Sequence, residues 1–433
     1  MKGSGVATSA QLQAACASSQ ATVSRALAPM LASGDILKVG RGRSQAYVMP
    51  RTIAGIAATV PVMTVGAQGQ VSAFATLVPV VGGRCWVTEE AGPAALHGGL
   101  AWFLADMRPQ GFIGRTFAHA HPELALAANP DHWNDDDVLK ALCMAGEDLP
   151  GNLVVGAASF DRYHALAPVG ANERSYPALA DAAIKGAMPG SSAGGEQPKF
   201  CAVRAGRSVI VKFSSAAGSP ADQRWRDLLV CEHLALIALA AHGIPAADSR
   251  IVMGKGRCFL EVKRFDRTES GRIGMVSLMA YNAEYVGKMD NWAATALRMA
   301  SRNLMQDLDA ERLCFLEAFG RLIGNTDRHY GNISLLIENG NWRLAPAYDM
   351  LPMIYAPVGG ELVDRAFDPG ALRPTAETLA PWNAARELAR QYWDSVQNDD
   401  RVSRAFRALA GRHAKQLAGE GKAKKATSRT SVT

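Results

Sequence analysis

Along this chain the period of the apolar positions changes from stretch to stretch. Near the start, Leu12 and Ala15 mark one face of a short helix over 9–16. Val23, Leu27, Met30 and Leu31 mark a second, capped by Ser18 or Ser19 and stopped by Ala32-Ser33-Gly34-Asp35. Period-two patterning takes over in 36–39 and 46–48, around the turn Gly40-Arg41-Gly42-Arg43. Strands are predicted over 60–65, 71–81 and 85–88, then over 200–203 and 208–213. A helix over 228–242 ends at Gly243, and a hairpin over 250–253 and 258–262 turns at Gly254-Lys255-Gly256. Leu313, Leu316, Phe319, Leu322 and Ile323 then define a helix over 310–323 that stops at Gly324. A last hairpin, 333–337 and 342–345, turns at Asn339-Gly340. The pattern predicts an α+β chain with a helical module over 1–52, a small β-rich subdomain over 53–135, a two-lobed core over 136–411 and a tail over 412–433.

Composition places the chain among globular proteins: of 433 residues, 48% are hydrophobic and 20% charged. No apolar run reaches the roughly 18 residues of a membrane helix, and the polar start does not look like a secretion signal. The seven scattered cysteines include no Cys-x-x-Cys pair and read as free thiols of a cytoplasmic protein. Charge is segregated. Residues 1–51 carry six basic groups against Asp35, 6 − 1 = +5, and residues 412–433 carry six against Glu420, 6 − 1 = +5. The net +6 leaves the middle at 6 − 10 = −4. Basic ends point to a polyanion partner, and the sparse apolar content of the tail predicts disorder. Helix, turn, helix, basic hairpin is the winged helix-turn-helix order. A recognition helix would bring Ser19, Gln20, Thr22, Ser24 and Arg25 to DNA base edges and phosphates, with Arg41 and Arg43 on the wing. A protein-docking module with a basic rim is the alternative.

The richest chemistry lies in Asn325-Thr326-Asp327-Arg328-His329-Tyr330-Gly331-Asn332, with Asp349 seventeen residues beyond Asn332. An Asp, an Asn five residues on, and a second Asp past a hairpin suit phosphoryl transfer. One carboxylate accepts the proton of an attacking hydroxyl, while the amide oxygen and second carboxylate hold magnesium. The Asp327 to Asn332 interval matches the kinase catalytic loop H-R-D-x-x-x-x-N. The alternative is a polar surface loop with an amino-terminal Asp cap.

Upstream pieces fit ATP. The stretch 190–199 is rich in glycine and precedes a strand, so its N–H groups can approach phosphates. Lys212 stands alone in an apolar strand, Glu232 on the next helix is a candidate partner for it, and Lys263-Arg264-Phe265 follows the hairpin where an adenine-contacting hinge belongs. His119, His121 and His132 are close in sequence but lack metal-ligand spacing and read as surface histidines.

Together, residues 192–199, Val211-Lys212, residues 263–267, residues 325–332 and Ala347-Tyr348-Asp349 resemble the HipA family of bacterial Ser/Thr kinase toxins over roughly 55–410. The fused amino-terminal module resembles the YjjJ subgroup. The resemblance implies a kinase-like core using ATP and Mg2+. In it Asp327 is the base and Asn332 and Asp349 hold magnesium. Gly194, Gly195, Glu196, Gln197, Lys199 and Lys212 contact phosphates. Lys263, Arg264 and Phe265 line adenine, with His329 and Tyr348 along the nucleotide. Ser192 matches the family's autophosphorylated serine, although Ser191 adjoins it, Gly195-Glu196 replaces a commoner small pair, and Lys263 stands where the family often has Glu. The implied partners are DNA, a protein substrate with a Ser/Thr acceptor, and a HipB-like antitoxin, with a homodimer on a palindromic site as a further expectation. Two other readings compete: a nucleotide-sensing transcriptional regulator with an inactive kinase body, and a metal-dependent DNA-cleaving toxin.

Overall fold

The computed structural model describes residues 5–40, 42, 45–167, 169–186, 197–338 and 340–419. They form two compact units: Met1–Pro168 with Gly186–Glu196 and Ser270–Gly274, and Val169–Lys185 with Gln197–Glu269 and Met275–Thr433.

The first unit opens with β1 (Val6–Ala7), α1 (Ser9–Cys16), α2 (Gln20–Ser33), β2 (Leu37–Val39) and β3 (Ala46–Val48), the strands in the order β1-β3-β2. Thr8 and Gln11 build a reciprocal cap at the start of α1, and Ser19 caps α2 by accepting from the Thr22 N–H. The helices bury little of their own. Val23 and Leu27 join Ile36 and Tyr47 in a small core, flanked by Leu12, Leu31 and Met49. The two-residue β1 lies below any pattern threshold, so its pairing with β3 was not legible in the sequence.

The unit continues with β4 (Val60–Val65), β5 (Val71–Val80), β6 (Arg84–Glu89), β7 (Ala94–His97), α3 (Gly111–Ala120), α4 (Asp135–Ala145), β8 (Leu153–Val155) and α5 (Ala157–Ala165). The strands form an antiparallel sheet in the order β7-β6-β5-β4-β8. Two differences from the expected layout follow. Because β8 pairs with β4, the stretch 136–165, assigned from sequence to the core, packs in this unit instead. A three-residue strand carries too little periodicity to reveal that. The second is that the modules expected to meet near residue 52 belong to one compact unit. Ala46 and Val48 of β3 share a core with Val78, Val80 and Trp86. Arg51 fastens the junction: its N–H donates to the Pro79 carbonyl at 2.8 Å, and its guanidinium reaches the Val80 carbonyl and the Asp136 carboxylate, each at 2.5 Å.

The second unit holds α6 (Tyr176–Ile184), β9 (Lys199–Arg204), β10 (Arg207–Phe213), α7 (Pro220–Ala241), β11 (Ser249–Gly254) and β12 (Arg257–Lys263), with strand order β11-β12-β10-β9. Then come β13 (Met275–Ser277), α8 (Leu278–Tyr285), α9 (Trp292–Ser301), α10 (Asp307–Leu322), β14 (Ser334–Glu338), β15 (Asn341–Leu344), α11 (Trp382–Asn398) and α12 (Arg404–Ala418). Helix α7 starts eight residues before the expected Leu228. Ser219-Pro220 with Asp222 is a capping box with proline at the first turn, a signal stronger than the apolar face behind it. Buried Asp227 on α7 accepts from the Ser403 N–H at 2.8 Å and the Ser403 hydroxyl at 2.6 Å, while Ser403 itself caps α12. Arg224, one turn earlier, lies 4.9 Å over the Phe406 ring and donates to the Tyr355 carbonyl at 3.2 Å. The central helix is thus bolted to the carboxy-terminal pair. Among the described residues, no helix is long and apolar enough to cross a membrane. All seven cysteines are free, with Cys16 exposed and the other six buried.

Asp227→Ala strands the Ser403 donors. It is expected to lower unfolding free energy by about 1–3 kcal/mol, read by urea denaturation through tryptophan fluorescence. Arg224→Ala, which removes the stacked guanidinium, is expected to cost less.

Candidate active site

Lys212 extends from β10 into a nest of carboxylates. Its Nζ lies 2.7 Å from Oε1 and 2.9 Å from Oε2 of Glu232 on α7, and it also donates to Asp349. Glu232 is buried and takes a further hydrogen bond from the Asp349 backbone. Burial opposes charge on all three groups, and proximity decides the outcome. Burial alone would lower Lys212, but Asp349 and Glu232 together hold it above the ordinary lysine value. Burial would raise Asp349, but Lys212 and Lys199 hold it below the usual carboxylate range. Glu232 stays above that range, because its burial outweighs Lys212. Lys199, paired across the strands with Lys212, is buried and pushed down to about 8 by desolvation.

The loop after α10 brings the other polar groups together. Gly324 has φ 77°, and a Cβ there would stand 2.9 Å from Ile354 Cγ2, so the helix ends at a glycine of necessity. Asn325 is fully buried. Its Oδ1 accepts from the Asp327 N–H at 3.0 Å, and its Nδ2 donates to the Asp349 carbonyl at 3.3 Å. One side chain therefore ties the Asp327 loop to the Asp349 turn, where Asp349 takes the left-handed φ of 53°. Asn332 donates from Nδ2 to the Asp327 carbonyl at 2.8 Å, which leaves its oxygen as the atom able to face a cation. Asp327 is half exposed, and His329 Nε2 lies 3.8 Å from its Oδ1. Arg328 bonds buried Glu317 at 3.2 Å and the Asn325 carbonyl, anchoring the loop to α10. Trp292 donates to the His329 carbonyl at 3.1 Å, and the Asp290 N–H donates to the Tyr330 hydroxyl at 2.6 Å.

The expected nucleotide-side residues divide. Phe265 and Tyr348 place their rings 5.6 Å apart, and Tyr348 donates to the Gly331 carbonyl at 3.0 Å. Gln197 donates to the Phe213 carbonyl at 2.8 Å. Arg264 is buried against Asp266, with contacts of 3.0 and 2.8 Å, so its guanidinium is a structural tether rather than a lining group. Lys263 pairs with Val209, an odd step from Lys212, so its side chain emerges on the opposite face of the sheet. Only its backbone remains on the strand exit. Ser192, Gly194, Gly195 and Glu196 lie outside the described residues, as do Arg41 and Arg43. In the amino-terminal module, Ser19, Gln20, Thr22, Ser24 and Arg25 are all exposed at the start of α2, although the Ser19 hydroxyl is engaged as the helix cap. Sequence reasoning missed the bridging role of Asn325. A signal was present for one half of it, since Asn two residues before Asp after a helix stop is an Asx-turn pattern; the bond to Asp349 is tertiary.

Two family models match the chain: one described as YjjJ-like toxin, middle domain, over residues 56–164, and one described as HipA-like C-terminal domain over 191–417. The chain is 34% identical over 414 residues to Toxin YjjJ of Escherichia coli (strain K12), covering 92% of each protein. It belongs to the YjjJ-like toxins of the HipA family. HipA of Shewanella oneidensis MR-1, solved as a complex with HipB and its operator DNA, aligns at a TM-score of 0.55 and 15% identity. The alignment covers 82% of this chain and 96% of that one, and the likeness is one of fold. In this YjjJ-like chain the HipA-like segment carries every described residue of the carboxylate and lysine cluster.

Lys212→Met leaves buried Glu232 and partly exposed Asp349 without their cation and is expected to cost about 3–5 kcal/mol at neutral pH. Burial then raises Glu232 further above its unfolded value. The deficit should therefore shrink as pH falls and Glu232 protonates. Thermal denaturation at pH 7.5 and 5.5 reads the difference, and a second change, Glu232→Leu, should restore part of the loss.

Proposed function

We propose that this chain is an ATP-dependent kinase that phosphorylates a Ser or Thr hydroxyl of a protein substrate. The single observation that carries the reading is the linked set Lys212–Glu232–Asp349–Asn325–Asp327, in which one hydrogen-bonded network joins an ammonium group to the Asp349 carboxylate and to the half-exposed Asp327. A nucleotide sensor needs no base, and a DNA-cleaving metal site leaves Lys212 without a task.

Asp327 is the base: its exposure admits an acceptor hydroxyl, and its N–H is fixed by Asn325. Asn332 and Asp349 present hard oxygen donors, and the charge held on Asp349 by its lysine neighbours suits Mg2+. Magnesium bound there would neutralise phosphate charge. Lys212, oriented by Glu232, would meet the phosphates, with Lys199 behind it. Phe265 and Tyr348 would flank the adenine, and the hinge backbone near Lys263 and Arg264 would read its edge. Ser192 is the proposed autophosphorylation site, where added phosphate would repel the nucleotide. The exposed start of α2, with Gln20, Thr22, Ser24 and Arg25, supports DNA binding by the amino-terminal module, and Arg41 and Arg43 would add phosphate contacts. The HipA complex with HipB and operator DNA makes an antitoxin and a DNA site the partners to test. A cytoplasmic location and a homodimer on DNA complete the reading.

Incubation with γ-labelled ATP, Mg2+ and cell extract tests the proposal. Label on this chain or on an extract protein, reduced about 10²–10⁴-fold by Asp327→Ala, is expected. Measurable ATP binding without transfer would instead favour the sensor. Asn325 offers a finer check. Asn325→Asp keeps an acceptor for the Asp327 N–H but loses the donor to Asp349, so the Mg2+ concentration for half-maximal rate should rise about tenfold. Asn325→Ala should lower kcat while leaving the ATP KM within about threefold.

A further inference from the structure

A cavity of about 350 Å3 lies on the sheet face opposite Lys212. Strand alternation fixes that face, because Val209 and Val211 are odd steps from Lys212, and Val209 pairs with Lys263 as Val211 pairs with Glu261. Four cations surround the cavity, Arg204, Arg207, Arg250 and Lys263, over a floor that includes buried Val209. Such a volume is at the lower end of small-molecule pockets, roughly 300–1,000 Å3.

The two carboxylates nearest the cations explain how the site is built. Buried Glu261 accepts from the Tyr176 hydroxyl at 2.5 Å and from Arg250 Nε at 3.0 Å, and lies 3.4 Å from Arg204 Nη1. It is spent on holding two guanidinium groups side by side. Glu173, half exposed and outside the cavity lining, bonds Arg250 Nη1 at 2.7 Å and lies 3.6 Å from Arg204 Nη2. Arg250 Nη2 is buried with no described acceptor, and a buried donor without a partner calls for an explanation. Arg207 makes only a loose, exposed contact with Asp248 at 3.7 Å.

We propose that this cavity binds a phosphate group, free or as the head of a small phosphomonoester. Paired guanidinium forks match oxyanion geometry. Glu173 already shows where an oxyanion sits between Arg204 and Arg250; a phosphate would displace its carboxylate, let the Arg250 guanidinium turn its buried Nη2 to the ligand, and draw in Arg207 and Lys263. The apolar floor at buried Val209, with exposed Ala205 at the cavity edge, accommodates an ester group beside the phosphate. The site shares no side chain with the lysine and carboxylate cluster of the other face, so it stands whether or not the chain is a kinase.

Isothermal titration of the full chain with inorganic phosphate and with phenyl phosphate tests this, in the wild type, Arg207→Glu and Glu173→Gln. Saturable binding is expected, weakened at least tenfold by Arg207→Glu and strengthened severalfold by Glu173→Gln, which removes the competing carboxylate. Tighter binding of phenyl phosphate than of phosphate identifies an ester as the ligand class, and equal binding identifies free phosphate. Binding that neither variant changes would place the anion elsewhere, and no saturable binding of either probe would leave an ordinary surface charge network; both outcomes overturn the proposal.

Discussion

The candidate site rests on one ammonium group. Lys212 is the cation that lets Glu232 and Asp349 remain close to each other away from bulk water. Without it, two carboxylates and the Asp349 backbone turn would have to separate or protonate. Every other placement is measured from that point. Glu232 fixes the rotation of α7 about its axis, Asp349 fixes the end of the β14–β15 hairpin, and Asn325 carries the position of Asp349 across to Asp327. Lys212, Glu232 and Asp349 each serve as a charge and as a hydrogen-bond partner, and Asn325 serves as both donor and acceptor.

Helix α7 is held from its outer side as firmly as from its inner one. Asp227 grips the cap of α12, and Arg224 is sandwiched among aromatic rings of the same region. The carboxy-terminal helices, remote in sequence from Glu232, thereby help hold the helix that carries Glu232 against Lys212. A helix fastened on both flanks has little freedom to rotate as a body.

Much of this was legible before the coordinates. Long periodic segments such as 310–323 announced themselves, as did the polar cluster after Gly324, because apolar helices that end in Asn, Asp and His have few purely structural reasons to do so. The Lys212–Glu232 pair followed from element order. What stayed hidden was short or tertiary. β1 and β8 are two and three residues long, too brief for any period. Lys263 could be placed at the strand exit, but its face depends on register with Val209, which only pairing reveals. Arg264 looked like a lining group until buried Asp266 claimed it. The amide of Asn325 bonds a carbonyl 24 positions away, a contact that no local pattern encodes.

The junction at Arg51 has a consequence for how the two amino-terminal modules coexist. Because β3 and β5 contribute to one core, Val78, Val80 and Trp86 would become an open apolar patch if the first fifty residues were absent. The helix pair is therefore not a passenger on a tether. It is held to the five-stranded sheet by packed side chains rather than by a linker.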